Sequence, residues 1–106
     1  MKLKAIIGVI FFIFTQSAFA QLYCAQYGNQ LTGIIGLDSN NGSIYTNITS
    51  ETNECSCREA RFLPENTDTD KALSILLAAR LSGKTVRIDF LEGQGCNSAT
   101  RVYIQD

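Results

Sequence analysis

The chain has 106 residues, with nine basic and ten acidic side chains, four cysteines, no histidine and no tryptophan. A formal net charge of −1 offers nucleic acid no basic surface. A chain this short buries only a modest core, which disulfides, metals or partners usually supplement.

The first segment, MKLKAIIGVIFFIFTQSAFA, places Lys2 and Lys4 before an unbroken apolar run from Ala5 to Phe14 and closes on Ala18-Phe19-Ala20. A charged start, an apolar middle and an A-x-A site are the layout of a secretory signal peptide, 1–20, with Gln21 as the mature N-terminus. The apolar run falls short of the roughly 20 residues that span a bilayer, so no membrane span is expected. The brief charged start is of bacterial type, and the expected location is periplasmic or extracellular. On that reading Asn41-Gly42-Ser43 and Asn47-Ile48-Thr49, which match the N-glycosylation pattern, never meet the glycosylating machinery. Without Lys2 and Lys4, seven basic residues face ten acidic ones, a net charge near −3. Residues 21–106 read as one small domain.

Strand signals open that domain. LYCAQY, Leu22 to Tyr27, is short and aromatic, and Gly28-Asn29 breaks it. NQLTGIIGLD sets Leu31, Ile35 and Leu37 on one parity, and the Asn41-Gly42 pair that follows is a two-residue hairpin signal, since both positions accept positive φ. SIYTNIT alternates, with Ile44, Thr46 and Ile48 opposite Tyr45 and Asn47. CSCREARFL reads as the next strand, with Ala60 and Phe62 on the apolar parity. Strict alternation puts Cys55 and Cys57 on the other face with Glu59 and Arg61, unless a bulge near Arg58 reconciles them with the core.

Beyond Pro64 the period changes. Thr69 to Leu81 is a predicted helix, capped by Asp68 or Thr67 and stopped by Ser82-Gly83. Its body is apolar nearly all round, which predicts burial on more than one side, either within one core or partly against a neighbouring subunit. KTVRIDFLE then alternates, with Val86, Ile88 and Phe90 inward and Arg87 and Asp89 outward. A Gly-rich loop carries Cys96, and TRVYIQ returns with Val102 and Ile104 inward.

All four cysteines, Cys24, Cys55, Cys57 and Cys96, follow the cleavage site, and an even count in a short exported chain favours disulfides. Structural zinc usually takes paired C-x2-4-C knuckles, often with histidine, whereas the only close pair here is C-x-C. In a strand, residues i and i+2 hold their Cα atoms about 7 Å apart, beyond the usual disulfide span. Two longer bridges remain, Cys24–Cys55 with Cys57–Cys96 or Cys24–Cys57 with Cys55–Cys96, and we favour the first.

The expected fold is mainly β with one helix, a small disulfide-stapled five-stranded barrel in the order β-β-β-α-β-β, with room for an extra N-terminal strand. That is the element order of the oligonucleotide/oligosaccharide-binding (OB) barrel. The stretch LLAARLSGKTVRID resembles the helix, glycine stop and V-R-I strand in binding (B) subunits of A/B-type bacterial toxins of the subtilase-cytotoxin and typhoid-toxin type. The resemblance covers about a sixth of the mature chain. It implies an OB fold, a pentameric ring and a cell-surface glycan as ligand. None of that family's sugar-contacting residues matches a position here, and this chain is shorter and has its own cysteine arrangement.

The sequence offers no catalytic constellation: no histidine stands ready as base, and the cysteines are assigned to bridges. Glu51 and Glu54 flank a loop. Asp68 and Asp70 sit at a helix start, where capping explains them. Asp38-Ser39-Asn40-Asn41-Gly42 has the outline of a calcium loop, but its glycine comes one position early and Thr49 replaces the bidentate acid, so a turn is expected instead. No metal and no cofactor are predicted. Among Tyr23, Tyr27, Tyr45 and Tyr103, the parity of Tyr45 and Tyr103 points them outward as candidate binding residues. The expected function is a secreted non-catalytic binding module that associates with itself through helix Thr69–Leu81 and recognises a cell-surface glycan or protein. The alternative is a small solitary periplasmic protein of structural, inhibitory or envelope-stress type with no sugar site.

Overall fold

The computed structural model describes residues 23–49 and 55–106. The expected signal peptide, and Glu51 and Glu54, lie outside the described residues. Six strands and one helix follow in the order β1 (Tyr23–Asn29), β2 (Leu31–Leu37), β3 (Ile44–Ile48), β4 (Glu59–Phe62), α1 (Thr69–Ser82), β5 (Thr85–Leu91) and β6 (Ala99–Gln105), with a 3-10 turn at Gly95–Asn97 before β6. The described residues are thus mainly β with one helix. The sheet has six strands rather than five, in the order β1-β5-β6-β4-β3-β2. It is mixed, because β4 runs parallel to β6 while the other neighbours are antiparallel.

The strand count departs from expectation for a local reason. Gln30 alone separates β1 from β2, yet these two strands stand at opposite ends of the sheet order. The chain therefore turns a corner there, helped by Gly28 at φ 68°, a left-handed value that costs glycine little. One sequence segment so supplies two strands with different partners: β1 pairs with β5 and β2 with β3. The sheet must curl until its two ends meet at Gln30.

The β2–β3 hairpin forms, but not around a two-residue Asn41-Gly42 turn. The backbone N–H of Gly42 donates to the Ser39 carbonyl at 3.1 Å, and that of Asp38 donates to the Ser43 carbonyl at 2.7 Å. Asn40 and Asn41 are therefore the central residues, and Gly42 follows them at φ 95°. The Asn41 side chain satisfies the turn internally by accepting from the backbone N–H of Ser43 at 3.1 Å.

Alternation works as predicted in β3, where Ile44, Thr46 and Ile48 are buried and Tyr45 and Asn47 are half-buried. In β5, Val86, Ile88 and Phe90 join Phe62, Ala60 and Ala99 in the core. Leu37 breaks its expected parity. A register shift between Thr32 and Ile35 interrupts β2, and Leu37, at the end of that strand, is 70% exposed. Ile104 likewise emerges into solvent at the end of β6.

Helix α1 begins where its cap predicts: the Asp68 side chain accepts from the Lys71 backbone N–H, and Gly83 closes the other end at φ 71°. Its packing is narrower than predicted. Ala72, Leu76 and Ala79, spaced i, i+4, i+7, form the buried stripe against β2, β3, β5 and β6. Leu73 and Ile75 are half-buried, while Leu77 and Leu81 are exposed. One curled sheet accepts one stripe with Leu73 at its margin, and Leu77 and Leu81 are left in solvent.

The bridges are Cys24–Cys55 and Cys57–Cys96, each with Cα atoms 5.7 Å apart. The CSC segment is not part of a strand, which corrects the expected parity of its cysteines. Ser56 takes φ 53°, the left-handed region, and this single residue swings Cys57 into the core at 2% exposure while Cys55 stays half-buried. The ladder resumes one residue later, where the Ile48 backbone N–H donates to the Arg58 carbonyl at 3.0 Å.

A polar clamp holds this hub to β1. Gln26 is fully buried, and its side-chain oxygen accepts from the Cys57 backbone N–H at 2.9 Å while its Nε2 donates to the Cys57 carbonyl at 2.7 Å. The same Nε2 lies 2.8 Å from Asn29 Oδ1, and Asn29 Nδ2 donates to the carbonyls of Gln26 and Val86 at 2.8 and 3.3 Å. The side-chain amide thus acts like the opposing peptide of a missing strand, satisfying a donor and an acceptor that burial would otherwise leave orphaned.

Candidate binding site

The two tyrosines singled out in the sequence lie in separate clusters. Tyr45 is on β3 and Tyr103 on β6, and β4 stands between those strands. Each ring is paired with an arginine rather than standing bare.

Around Tyr103 the partners come from β1, β5 and β6. The Arg87 guanidinium lies 5.0 Å from the Tyr27 ring centre and 4.9 Å from that of Tyr103. It also grips Asp89, whose side chain is 2% exposed, through Nε at 2.9 Å and Nη2 at 3.1 Å. That hydrogen bond to a carboxylate holds the Arg87 pKa above its usual value. Arg101 stacks on Tyr23 at 4.5 Å and approaches the same carboxylate at 4.0 Å. The expected outward position of Asp89 is correct, but arginines roof it over and bury it.

The Tyr45 cluster is recessed. A cleft of about 380 Å³ is lined by Ile34, Gly36, Leu37, Asp38, Tyr45, Glu59 and Arg61. That volume falls within the ~300–1,000 Å³ of small-molecule sites. Cross-strand register builds it: Gly36 and Arg61 flank Tyr45, while Thr32 and Glu59 flank Asn47. Gly36 supplies the hollow, because a Cβ placed there would meet nothing within 4 Å.

Hydrogen bonds fix the polar lining. Asn47 Nδ2 donates to the Tyr45 hydroxyl at 3.0 Å, and that hydroxyl donates to Glu59 Oε1 at 3.1 Å. Arg61 Nε donates to Asp38 Oδ2 at 2.6 Å, its Nη1 donates to Asn97 Oδ1 at 2.7 Å, and its guanidinium lies 5.3 Å from the Tyr45 ring centre. Partial burial first, and the bond and charge of Glu59 second, push the Tyr45 phenol above its ordinary pKa. Beside this lining, Ile34 and Leu37 are 67% and 70% exposed.

A bulge holds the cleft's edge in place. Gly33 sits at φ 66°, and a Cβ there would fall 2.6 Å from Asn47 Oδ1, the atom that accepts from the Ile34 backbone N–H at 2.8 Å. Gly33→Ala is therefore expected to cost about 1–3 kcal/mol through left-handed strain alone, and to displace Asn47 from Tyr45. Urea unfolding measures the first effect. The second would appear as changed chemical shifts at Asn47 and Ile34, and an alanine variant as stable as wild type would remove this account of the bulge.

Of the residues that line this cleft, the sequence reading named Tyr45 as a binding candidate, and not Ile34, Gly36, Leu37, Asp38, Glu59 or Arg61. The alternation of Glu59 and Arg61 with Ala60 and Phe62 was the available signal. A second hollow, of about 210 Å³, adjoins Cys24, Cys55 and Cys57 and falls below the usual size of a ligand site. Among the described residues, no three histidine, cysteine, aspartate or glutamate side chains gather where they could hold a metal, and no helix is long and apolar enough to cross a membrane. Asp38 is bound to Arg61, and Asp68 serves as the helix cap. Set against protein-family models, curated proteins and solved structures, the chain matches none.

Proposed function

We propose that the protein is an exported, non-catalytic binding module that recognises a cell-surface glycan and works as an assembly of its own copies. The observation that carries this reading is the cleft beside Tyr45, where a fixed set of polar groups adjoins exposed apolar side chains. Two disulfides fit an oxidising compartment outside the cytoplasm. The mixed sheet has six strands, and counting β1 and β2 as the halves of one bent strand gives the β-β-β-α-β-β element order.

Self-association is supported by the outer side of α1. Leu77 and Leu81 are 43% and 87% exposed and stand one turn apart. A second copy covering them would remove apolar surface from water. Assembly also serves recognition, since linked weak sites gain about 10²–10⁴ in avidity. The oxidised protein is therefore expected to scatter light as an oligomer and to bind a glycan array. Leu81→Glu should yield a folded monomer whose array signal falls by at least tenfold. A wild-type monomer that binds no glycan would instead favour a solitary periplasmic protein.

A further inference from the structure

Building on the glycan-binding reading, we infer that the cleft between Ile34 and Glu59 takes a neutral saccharide and discriminates against acidic sugars. The first argument is charge. Asp38 and Glu59 line the cleft with a single cation, Arg61, and that guanidinium is already hydrogen-bonded to Asp38 and Asn97. An anionic sugar would enter against the uncompensated Glu59 carboxylate, because the charge of Arg61 is already balanced by Asp38.

The second argument is hydrogen-bonding capacity. An ionised carboxylate offers about four acceptor positions and a guanidinium five N–H donors. Tyr45 occupies one position on Glu59 Oε1, and Asp38 and Asn97 each engage one nitrogen of Arg61. The cleft therefore retains acceptors and donors side by side. A free cation would satisfy the carboxylates but meet Arg61. A neutral polyol uses both kinds of group, donating hydroxyl protons to Glu59 and accepting from Arg61.

The third argument is shape and surface. The exposed side chains of Ile34 and Leu37 give the C–H face of a pyranose an apolar wall, and the missing side chain at Gly36 leaves the depth for the ring. Tyr45 is less a stacking platform than a positioning residue: Arg61 lies over its ring, while its hydroxyl aims Glu59.

Matched probes test this. Glucose and glucuronic acid, and galactose and galacturonic acid, differ within each pair only by the carboxylate, and each can be titrated into the oxidised protein with chemical shifts followed at Ile34, Gly36 and Glu59. One neutral sugar is expected to shift these residues and to bind at least tenfold more tightly than its acidic counterpart. A Cβ at Gly36 would meet nothing within 4 Å, so Gly36→Val should occupy the hollow and reduce that binding at least tenfold, with an unchanged melting temperature as the check on the fold; Glu59→Gln should weaken it while leaving the melting temperature near wild type. If the acidic partner binds the cleft as well or better, the neutral-sugar assignment is overturned and the glycan reading stands. If the glycan array is positive but these residues do not respond, or if binding survives Gly36→Val, the cleft is the wrong site. If the array is also negative, the glycan reading fails as well.

Discussion

Replacing Cys57 by serine is expected to lower the unfolding free energy by about 3 kcal/mol or more, within the ~2–5 kcal/mol typical of native bridges in small secreted domains. The bridge to Cys96 spans 39 residues. The chain-entropy account assigns a loop of that length about 4 kcal/mol. Local packing adds to the loss. Cys57 is 2% exposed and belongs to the core cluster with Ala60 and Phe62, so a serine hydroxyl would enter an apolar site and leave the Cys96 thiol without its partner. Urea unfolding of the oxidised variant measures the change. A midpoint indistinguishable from wild type would mean that the core and the Cys24–Cys55 bridge hold the hub unaided.

That hub marks the limit of what the residue pattern reveals. Strand geometry excludes a Cys55–Cys57 bridge, because neighbours two apart cannot reach each other in extended chain, and of the two pairings it leaves open the structure contains the favoured one. The helix was equally legible, since Asp68 and Gly83 punctuate it. Cys57 reaches the core through one left-handed residue, Ser56, and nothing about a serine announces positive φ. The corner at Gln30 was hidden for a related reason. Alternation describes one strand at a time and says nothing about a change of partner between consecutive residues.

The candidate site was legible only in outline. Parity placed Tyr45 on the outer face, and the structure keeps it there half-buried, but the cleft exists because Gly36 stands opposite it across the hairpin. Pairing register is a tertiary property. It depends on the bulge at Gly33, and a shift of one residue would have put another side chain opposite Tyr45. The arginines that cover Tyr103 and Tyr45 escaped notice similarly: each belongs to another strand, and only the assembled sheet brings cation and ring together.

Gln26→Met is expected to cost about 3–5 kcal/mol, a large part of the stability of a domain this size. Methionine keeps the length of the side chain and its ability to fill a core, so little of the loss comes from volume. What disappears is the clamp. The Cys57 N–H and carbonyl would both lose their partner, as would Asn29 Oδ1, in a region where Gln26 and Asn29 are fully buried. Each buried polar group left unpaired costs about 1–3 kcal/mol. A glutamate at the same position separates hydrogen bonding from packing. Ionised, it can accept from the Cys57 N–H but places negative charge against the Cys57 carbonyl; protonated, it regains a donor. Burial raises the pKa of such a carboxyl, so Gln26→Glu should be strongly destabilised at neutral pH and recover part of the loss as pH falls through that raised value. Because Gln26 and Cys57 act on one segment, Gln26→Met and Cys57→Ser should not be additive, and a double-mutant cycle should show coupling of about 0.5 kcal/mol or more. Urea unfolding of the four proteins decides the matter. A methionine variant with wild-type stability, or strictly additive losses, would mean that the bridges alone position the hub and that the amide merely fills space.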